Sequence, residues 1–418
     1  MVCTDRRYVS RVTILRRPRV LRALSRFLSL LIAGAGMTVA ADSLRAAGVR
    51  DGDRIYPMDK THWQTTAPIG WAGRVVGVAT FARDEGIPTG TMTLNEGVAT
   101  LGEGTFAQGQ IDFDIKPLGY NDAGIIFRRR GDDDGEFVYV RANPDCPAAQ
   151  DCVQYAPVTR GLMGWNIYPN YQASAPINAT GWNHLTILVA GDRMQVFVNH
   201  AAEPVLTVPR LLGLTNQGGI ALKGPAVYAN LIVRSGPPPV MAAAAAPAAE
   251  PGVLTNWLAA TPTATPTPMT VSVSDVPPDG AWQPIAVEPT GLVNLGRAFG
   301  AAHAPSVSVG WLKAVIDSPI PRRAFLHAGF AMQVVVFVNG QPVYRGNNPY
   351  YPEEARLSPG GRIGFDNAVI PIDLKRGRNE IVLAVGNDWR ADLPERHPSH
   401  YGWAAEARID DNPLPPGL

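Results

Sequence analysis

The segment GQIDFDIKP, Gly109–Pro117, alternates strictly between apolar and polar side chains. In an extended strand its two isoleucines and its phenylalanine would point into a core, while its two aspartates and its lysine would point toward solvent. The segment therefore predicts an amphipathic β-strand with one buried face.

Similar strand-like segments continue to residue 234, and Gly, Asp and Pro separate them. They are AGIIFRRR, GEFVYVRAN, WNHLTILVAG, RMQVFVNH and GGIALKG. No stretch shows a sustained helical period, so residues 51–234 are predicted to form an antiparallel β-sandwich.

Residues 253–418 have the same character. MQVVVFVNGQPVY, residues 332–344, nearly repeats MQVFVNHAAEPVL, residues 194–206, and its Asn339–Gly340 pair is a strong β-hairpin signal. Between the two blocks, residues 235–252 are rich in proline and alanine without a hydrophobic period, which predicts a semi-rigid, solvated linker. The predicted fold is all-β, with two antiparallel sandwiches (jelly rolls) joined by this linker.

The N-terminus is typical of an export signal. A basic region precedes a short apolar stretch, and small residues before Asp42 suit cleavage, so residues 1–41 are predicted to be a signal peptide. The apolar stretch is shorter than the roughly 20 residues needed to cross a bilayer, so no stable membrane span is expected after cleavage. The mature chain would be secreted or periplasmic, by the general secretory or the twin-arginine route.

Composition bears on partners and redox state. With 418 residues and a formal net charge of +1, the chain gives no electrostatic reason to expect nucleic acid as a partner. Cys146 and Cys152 lie six positions apart in a turn-rich loop, which in an exported chain favours a disulfide. No metal site is expected there, because the loop lacks further cysteine or histidine ligands.

The first block, from FAQGQIDFDIKP to GGIALKG, resembles the concanavalin A-like lectin/glucanase superfamily, in particular the branch with 3-keto-disaccharide hydrolase-like domains. The second block, with RRAFLHAGFAMQVVVFVNGQPVYRG and IPIDLKRGRNEIVLAVGNDW, is similar to galactose-binding-domain-like jelly rolls. The resemblance implies two sandwiches and a carbohydrate ligand, but it does not specify an activity.

Catalytic candidates are sparse. Glycoside hydrolysis needs two carboxyl groups about 5–9.5 Å apart, and Asp112 and Asp114 on one strand face are weak candidates. They do not match the Glu-x-Asp-x-Glu pattern of the glucanases, and a solvated polar face is the alternative. The hairpin acids Asp132, Asp133 and Asp134 could hold a structural Ca²⁺ or be merely solvated. No other cofactor is expected.

Candidate ligand-binding residues are arginines, tyrosines and tryptophans that could form directed hydrogen bonds or stack on a sugar ring. In the first block they are Arg128, Arg130, Tyr139, Arg141, Trp165, Tyr168 and Tyr171. In the second block they are Tyr344, Tyr350, Tyr351, Asp388, Trp389 and Arg390. Structural packing is the alternative at each position.

Three functions remain open on the sequence alone. The first is an exported carbohydrate-binding protein without an evident catalytic motif. The second is a glycoside hydrolase-like enzyme acting on a disaccharide or polysaccharide, for which two carboxylates should converge across a groove. The third is a structural or protein-interaction module.

Overall fold

The fold is taken from a computed structural model, which describes residues 53–66, 78–120, 122–238, 241, 245, 247–266, 269–300, 307–350, 352–387 and 401–411. The predicted signal peptide, residues 1–41, lies outside this part of the chain. Within it, regular structure is nearly all antiparallel β-strand, which confirms the all-β prediction.

The N-terminal sandwich contains strands β1 to β16. Their bounds are β1 (Arg54–Tyr56), β2 (Trp63–Thr66), β3 (Ala79–Asp84), β4 (Ile87–Leu94), β5 (Val98–Leu101), β6 (Gly109–Pro117), β7 (Ala123–Arg130), β8 (Asp134–Val140), β9 (Val153–Thr159), β10 (Leu162–Met163), β11 (Gln172–Ala173), β12 (Asn183–Ala190), β13 (Arg193–Val198), β14 (Leu206–Val208), β15 (Gly219–Lys223) and β16 (Ala226–Ser235).

These strands form two sheets. Sheet A has the order β14-β13-β12-β6-β16-β4-β3, with β1 also paired to β16, and sheet B has the order β10-β9-β8-β7-β15-β5-β2, with β11 also paired to β9. The strand β6 coincides with the segment GQIDFDIKP and lies in the interior of sheet A, between β12 and β16.

The C-terminal sandwich contains strands β17 to β26 and one short helix. The bounds are β17 (Leu258–Thr265), β18 (Gln283–Pro284), β19 (Val293–Asn294), α1 (Leu295–Phe299), β20 (Val307–Ser318), β21 (Arg322–Phe330), β22 (Met332–Val338), β23 (Gln341–Asn348), β24 (Ala368–Leu374), β25 (Gly377–Gly386) and β26 (Ala404–Asp410). Single 3₁₀ turns cover Pro169–Tyr171, Val273–Asp275, Asp279–Ala281, Glu353–Ala355 and Phe365–Asn367.

Sheet C has the order β18-β17-β20-β25-β22-β23, and sheet D has the order β19-β26-β21-β24. The predicted hairpin at Asn339–Gly340 is present, because β22 turns into β23 there with φ angles of 49° and 76°. Asparagine and glycine both tolerate this left-handed region, which explains why the pair marks the turn.

Each sandwich has its own hydrophobic core. In the N-terminal sandwich, Phe113 of sheet A and Phe127 of sheet B are both fully buried in one cluster. In the C-terminal sandwich, Leu312 of sheet C and Leu326 of sheet D share a second cluster. The alternating pattern in the sequence therefore fills two interiors rather than one.

The two sandwiches also pack against each other. Phe137 of sheet B and Trp165 of the loop after β10 belong to a cluster that includes Met332 and Tyr401 of the C-terminal half. The end of the predicted linker contacts the C-terminal sandwich, where Arg408 and Glu250 form an ion pair of 3.3 Å. This end of the linker is therefore packed rather than solvated throughout, whereas the domain boundaries themselves stay predictions.

Candidate functional site

A cleft lies between the two sandwiches and consists of two adjoining cavities. The larger, about 860 Å³, is called here the arginine cavity, and the smaller, about 560 Å³, the tyrosine cavity. Arg210, Leu212, Glu288 and Pro289 line both cavities, so the two are continuous. Pockets of roughly 300–1,000 Å³ are the usual size for small-molecule sites.

Five arginines line the arginine cavity: Arg128, Arg130, Arg160, Arg210 and Arg297. Two of them, Arg128 and Arg130, are among the ligand-binding residues that the sequence predicts. The acidic side chains of this cavity are Glu136, Asp192 and Glu288. The arginine cavity is therefore rich in positive charge, although the whole chain is nearly neutral.

Two arginines join the walls of the arginine cavity to each other. Arg160 of the N-terminal half donates a hydrogen bond to the carbonyl of Ala298 at 3.2 Å, and Arg297 donates one in the opposite direction to the carbonyl of Leu212. Arg297 belongs to helix α1, where its backbone N–H is capped by the side chain of Asn294 at 2.8 Å. The cap fixes the turn that presents this arginine.

Glu136 is a buried carboxyl group at the base of the arginine cavity. It accepts hydrogen bonds from the Tyr155 hydroxyl at 2.6 Å and from the Gly213 N–H at 3.1 Å. Burial raises the pKa of Glu136 to about 7, although the Tyr155 hydrogen bond and the charge of Arg128 oppose this. Glu136 is therefore protonated more readily than an exposed glutamate.

The tyrosine cavity has a different lining. The Tyr168 hydroxyl donates to Glu288 at 2.5 Å and accepts from the Asn294 amide at 2.9 Å, so this contact crosses from one sandwich to the other. Tyr168 stacks on Tyr171 with ring centroids 5.9 Å apart. Both tyrosines were predicted to contact ligand, and Tyr171 is the more exposed of the two.

Two further glutamates give the tyrosine cavity an acidic side. Glu250 and Glu406 line it together with Glu288. Burial raises the pKa of Glu406 to about 7, and the nearby charge of Glu288 adds to this effect. Phe365 and several prolines complete a lining that combines apolar surface with hydrogen-bonding groups.

Other predicted ligand contacts are instead buried where the sandwiches meet. Trp165 is only 4% exposed, and its ring meets Tyr350 edge-on at 4.7 Å. The guanidinium of Arg362 lies 5.6 Å from the centre of the Trp165 ring. The burial of this ring favours the packing alternative for Trp165 over a sugar platform, and Tyr350 packs with it.

Tyr139 and Arg141 are part of the same interface. The Tyr139 hydroxyl, in a fully buried side chain, donates to Gln154 at 2.8 Å, and Arg141 donates to that hydroxyl at 3.1 Å. Asp151 lies 3.7 Å from Arg141 and 3.4 Å from Arg362 of the C-terminal sandwich. These groups hold one sandwich to the other rather than lining the cleft.

The disulfide between Cys146 and Cys152 is present, as predicted. It closes the loop that carries Asp151, the carboxylate that pairs with Arg141 and Arg362. The loop thereby supports the interface between the sandwiches.

Asp112 and Asp114 lie on the outer face of sheet A in a hydrogen-bonded network. His184 bonds Asp114 at 2.7 Å and lies 3.6 Å from Asp112, which also accepts from Thr186 at 2.6 Å and pairs with Arg234. Burial alone would raise the pKa of Asp112, but these partners lower it. A glycosidase acid needs a raised pKa, and neither aspartate lines the cleft, so the geometry does not favour the catalytic prediction.

The remaining predicted residues fall outside the cleft or outside the described chain. Tyr344 packs against Phe330 at 6.4 Å on the edge strand β23, and burial raises its pKa. Tyr351, Asp388, Trp389 and Arg390 lie outside the described residues and stay predictions.

The hairpin acids of the possible calcium site have arginine partners. Asp132 pairs with Arg129, and Asp134 pairs with Arg130 at 2.6 Å. Within the part of the chain that the structure describes, there is no group of three or more His, Cys, Asp or Glu residues suited to a metal ion, and no helix is long and apolar enough to cross a membrane.

The site residues predicted from the sequence did not include Glu136, Arg210, Glu288 and Arg297. Arg210, Glu288 and Arg297 come from loops and a five-residue helix that only the folded chain brings together. Glu136 left a usable signal, because it is the one charged residue within GEFVYV, residues 135–140, which form most of β8. A lone carboxyl in such a strand must be buried with a partner, and such groups often belong to functional sites.

No family model and no curated protein sequence matches the chain. Among solved structures, it is similar to the carbohydrate binding module CBM66 from Bacillus subtilis, with 16% identity over 41% of this chain and 93% of that one and a TM-score of 0.30. It is also similar to domain 4 of the arabinanase AbnA from Geobacillus stearothermophilus, with 11% identity over 44% and 96% of the two chains and a TM-score of 0.28. A beta-glucanase from Bacillus licheniformis matches with 13% identity over 44% and 98% and a TM-score of 0.28.

Proposed function

We propose that this chain is an exported carbohydrate-binding protein that holds a saccharide in the cleft between its two sandwiches. The observation that carries the proposal is the cleft itself, which combines arginine forks, carboxyl groups and tyrosines in two continuous cavities. Arginines and carboxylates form directed hydrogen bonds of the kind that sugar hydroxyl groups accept and donate.

The apolar part of the lining supports the same ligand class. Tyr171 and the prolines of the tyrosine cavity offer flat, apolar surface beside Glu288 and Glu406. A sugar ring presents both C–H faces and hydroxyl groups, so it matches a lining in which apolar surface and hydrogen-bonding groups alternate. The sequence resemblance to concanavalin A-like and galactose-binding-like domains agrees with this choice.

Binding is favoured over hydrolysis as the role of the cleft. Glu136 has the raised pKa that a general acid requires, but it is 1% exposed and its oxygens already accept from Tyr155 and Gly213. A carboxyl covered in this way does not reach a glycosidic oxygen. The hydrolase alternative therefore receives less support than the binding function.

Export is part of the proposal. The disulfide between Cys146 and Cys152 supports it, because structural disulfides persist mainly in oxidising compartments. The chain would then meet its saccharide outside the cytoplasm.

A glycan array followed by calorimetry tests the proposal on the chain from Asp42 onward. Arg210→Ala is the informative variant, since Arg210 is exposed and lines both cavities. Loss of its charged hydrogen bonds should weaken binding of the selected glycan by about tenfold or more. Arg376→Ala is the matched control, because Arg376 is an exposed arginine between β24 and β25 and lines neither cavity.

The proposal fails if the array selects no glycan, or if both variants bind the selected glycan as the unmodified chain does. In the first case the protein-interaction alternative takes its place. Release of reducing ends from the bound glycan would instead favour the hydrolase.

A further inference from the structure

We infer that the saccharide carries an anionic group, a carboxylate or a sulfate, and that this group lies at the arginine end of the cleft. The inference rests on the proposed function and adds the chemical class of the ligand. It follows from how charge is distributed along the cleft.

The arginine cavity has more cationic than anionic side chains. Five arginines face three acids, Glu136, Asp192 and Glu288. Burial raises the pKa of both glutamates, which favours their uncharged forms. The surplus of positive charge is local, because the whole chain has a formal net charge of only +1.

Three of these arginines direct their hydrogen bonds to backbone carbonyls rather than to carboxylates. Arg128 donates to the carbonyls of Ala107 and Gly191, at 2.8 Å and 2.6 Å. Arg160 and Arg297 also donate to backbone carbonyls, which carry no net charge. Arg130 does have a carboxylate partner, Asp134. Carbonyl partners orient a guanidinium without cancelling its charge, so the cavity keeps its attraction for an anion.

The guanidinium groups of two arginines have N–H donors that could bind a ligand. No hydrogen bond or ion pair from the Arg210 guanidinium to the described residues is present, and the side chain is exposed at the junction of the two cavities. The Nε of Arg297 is buried and has no hydrogen-bond partner among the described residues. Guanidinium groups bind carboxylates and sulfates through paired N–H donors, and a buried donor without a partner is costly.

The tyrosine cavity has the opposite character. Arg210 is its one arginine among the described residues, and it faces Glu250, Glu288 and Glu406. A neutral sugar there could form hydroxyl hydrogen bonds with the glutamates and stack on Tyr171, whereas an anionic group finds more cationic partners in the arginine cavity. The occupant that fits the whole cleft is therefore an oligosaccharide with an acidic residue at one end and neutral hydroxyl-bearing surface at the other.

Calorimetry with charge-matched pairs of saccharides tests the inference. Trigalacturonate is compared with its methyl ester, and a sulfated carrageenan disaccharide with its desulfated form, so the two arms distinguish a carboxylate from a sulfate. We expect the charged member of at least one pair to bind about tenfold or more tightly than its neutral partner, and the preference to fall at higher salt.

Arg210→Gln and Arg160→Gln should reduce this preference, because both remove an exposed charge from the arginine cavity. Arg376→Gln should leave it unchanged. Equal binding of charged and neutral partners overturns the inference but leaves the proposed function standing, provided that Arg210→Gln weakens both. If no saccharide of either pair or of the array binds, the inference and the proposed function both fail.

Discussion

Deprotonation of His184 should destabilise the folded chain between about pH 6.5 and pH 9. Burial opposes the charged imidazole, but the hydrogen bonds and charges of Asp112 and Asp114 raise the pKa of His184 from 6.5 to about 9. A histidine with a raised folded pKa stabilises the fold fully below its unfolded pKa, and this stabilisation is lost as the pH rises through the folded value. At about 1.4 kcal/mol per pH unit, that interval corresponds to roughly 3 kcal/mol of unfolding free energy.

Urea unfolding of the unmodified chain and of His184→Gln, at about pH 6, 8 and 10, measures this contribution. Glu136 and Glu406, whose pKa values burial raises to about 7, titrate in both proteins, so the difference between the proteins isolates His184. We expect that difference to be largest near pH 6 and to shrink by about 3 kcal/mol by pH 10. If the unfolding free energies of the unmodified chain and of His184→Gln change with pH by the same amount, the charge network on the outer face of sheet A is refuted.

Two further predictions concern packing at the interface and beside the cleft. Trp165→Ala should lower the unfolding free energy by about 3–5 kcal/mol, because it leaves a cavity in a buried contact between the sandwiches. The control is Trp182→Ala, because the Trp182 side chain is 39% exposed. An equal or smaller loss of unfolding free energy in Trp165→Ala than in Trp182→Ala would contradict the packing role. Gly213→Ala should destabilise the chain by about 1–3 kcal/mol, since the added Cβ would lie 2.6 Å from the Glu136 carboxylate. Gly280→Ala is its control in a thermal melt, because a Cβ there meets nothing within 4 Å, and equal melting temperatures would count against the contact.

The strands could be predicted because local pattern decides them. GQIDFDIKP forms β6 at its expected bounds, and Asn339–Gly340 forms the expected hairpin. In both cases the period-two alternation or the tolerance for positive φ is a property of neighbouring residues. The disulfide was predictable for the same reason, since its cysteines are six positions apart.

The cleft could not be predicted because it exists only where the two sandwiches meet. Arg210 and Arg297 are far apart in sequence, yet both line the arginine cavity. The burial of Trp165 could not be predicted either. This aromatic residue lies in a Gly- and Pro-rich loop without the alternating pattern of a strand, so the sequence did not distinguish a sugar platform from a packing contact. The surface that covers its ring comes from Tyr350 and Tyr401, almost 200 or more positions away.

The most direct test of the cleft as a saccharide site is a crystal structure of the chain from Asp42 onward, soaked with trigalacturonate. We expect sugar density between the sandwiches, with a carboxylate within about 4 Å of the Arg210 guanidinium. Sugar density over Asp112 and His184 on the outer face of sheet A, with the cleft empty, would contradict it.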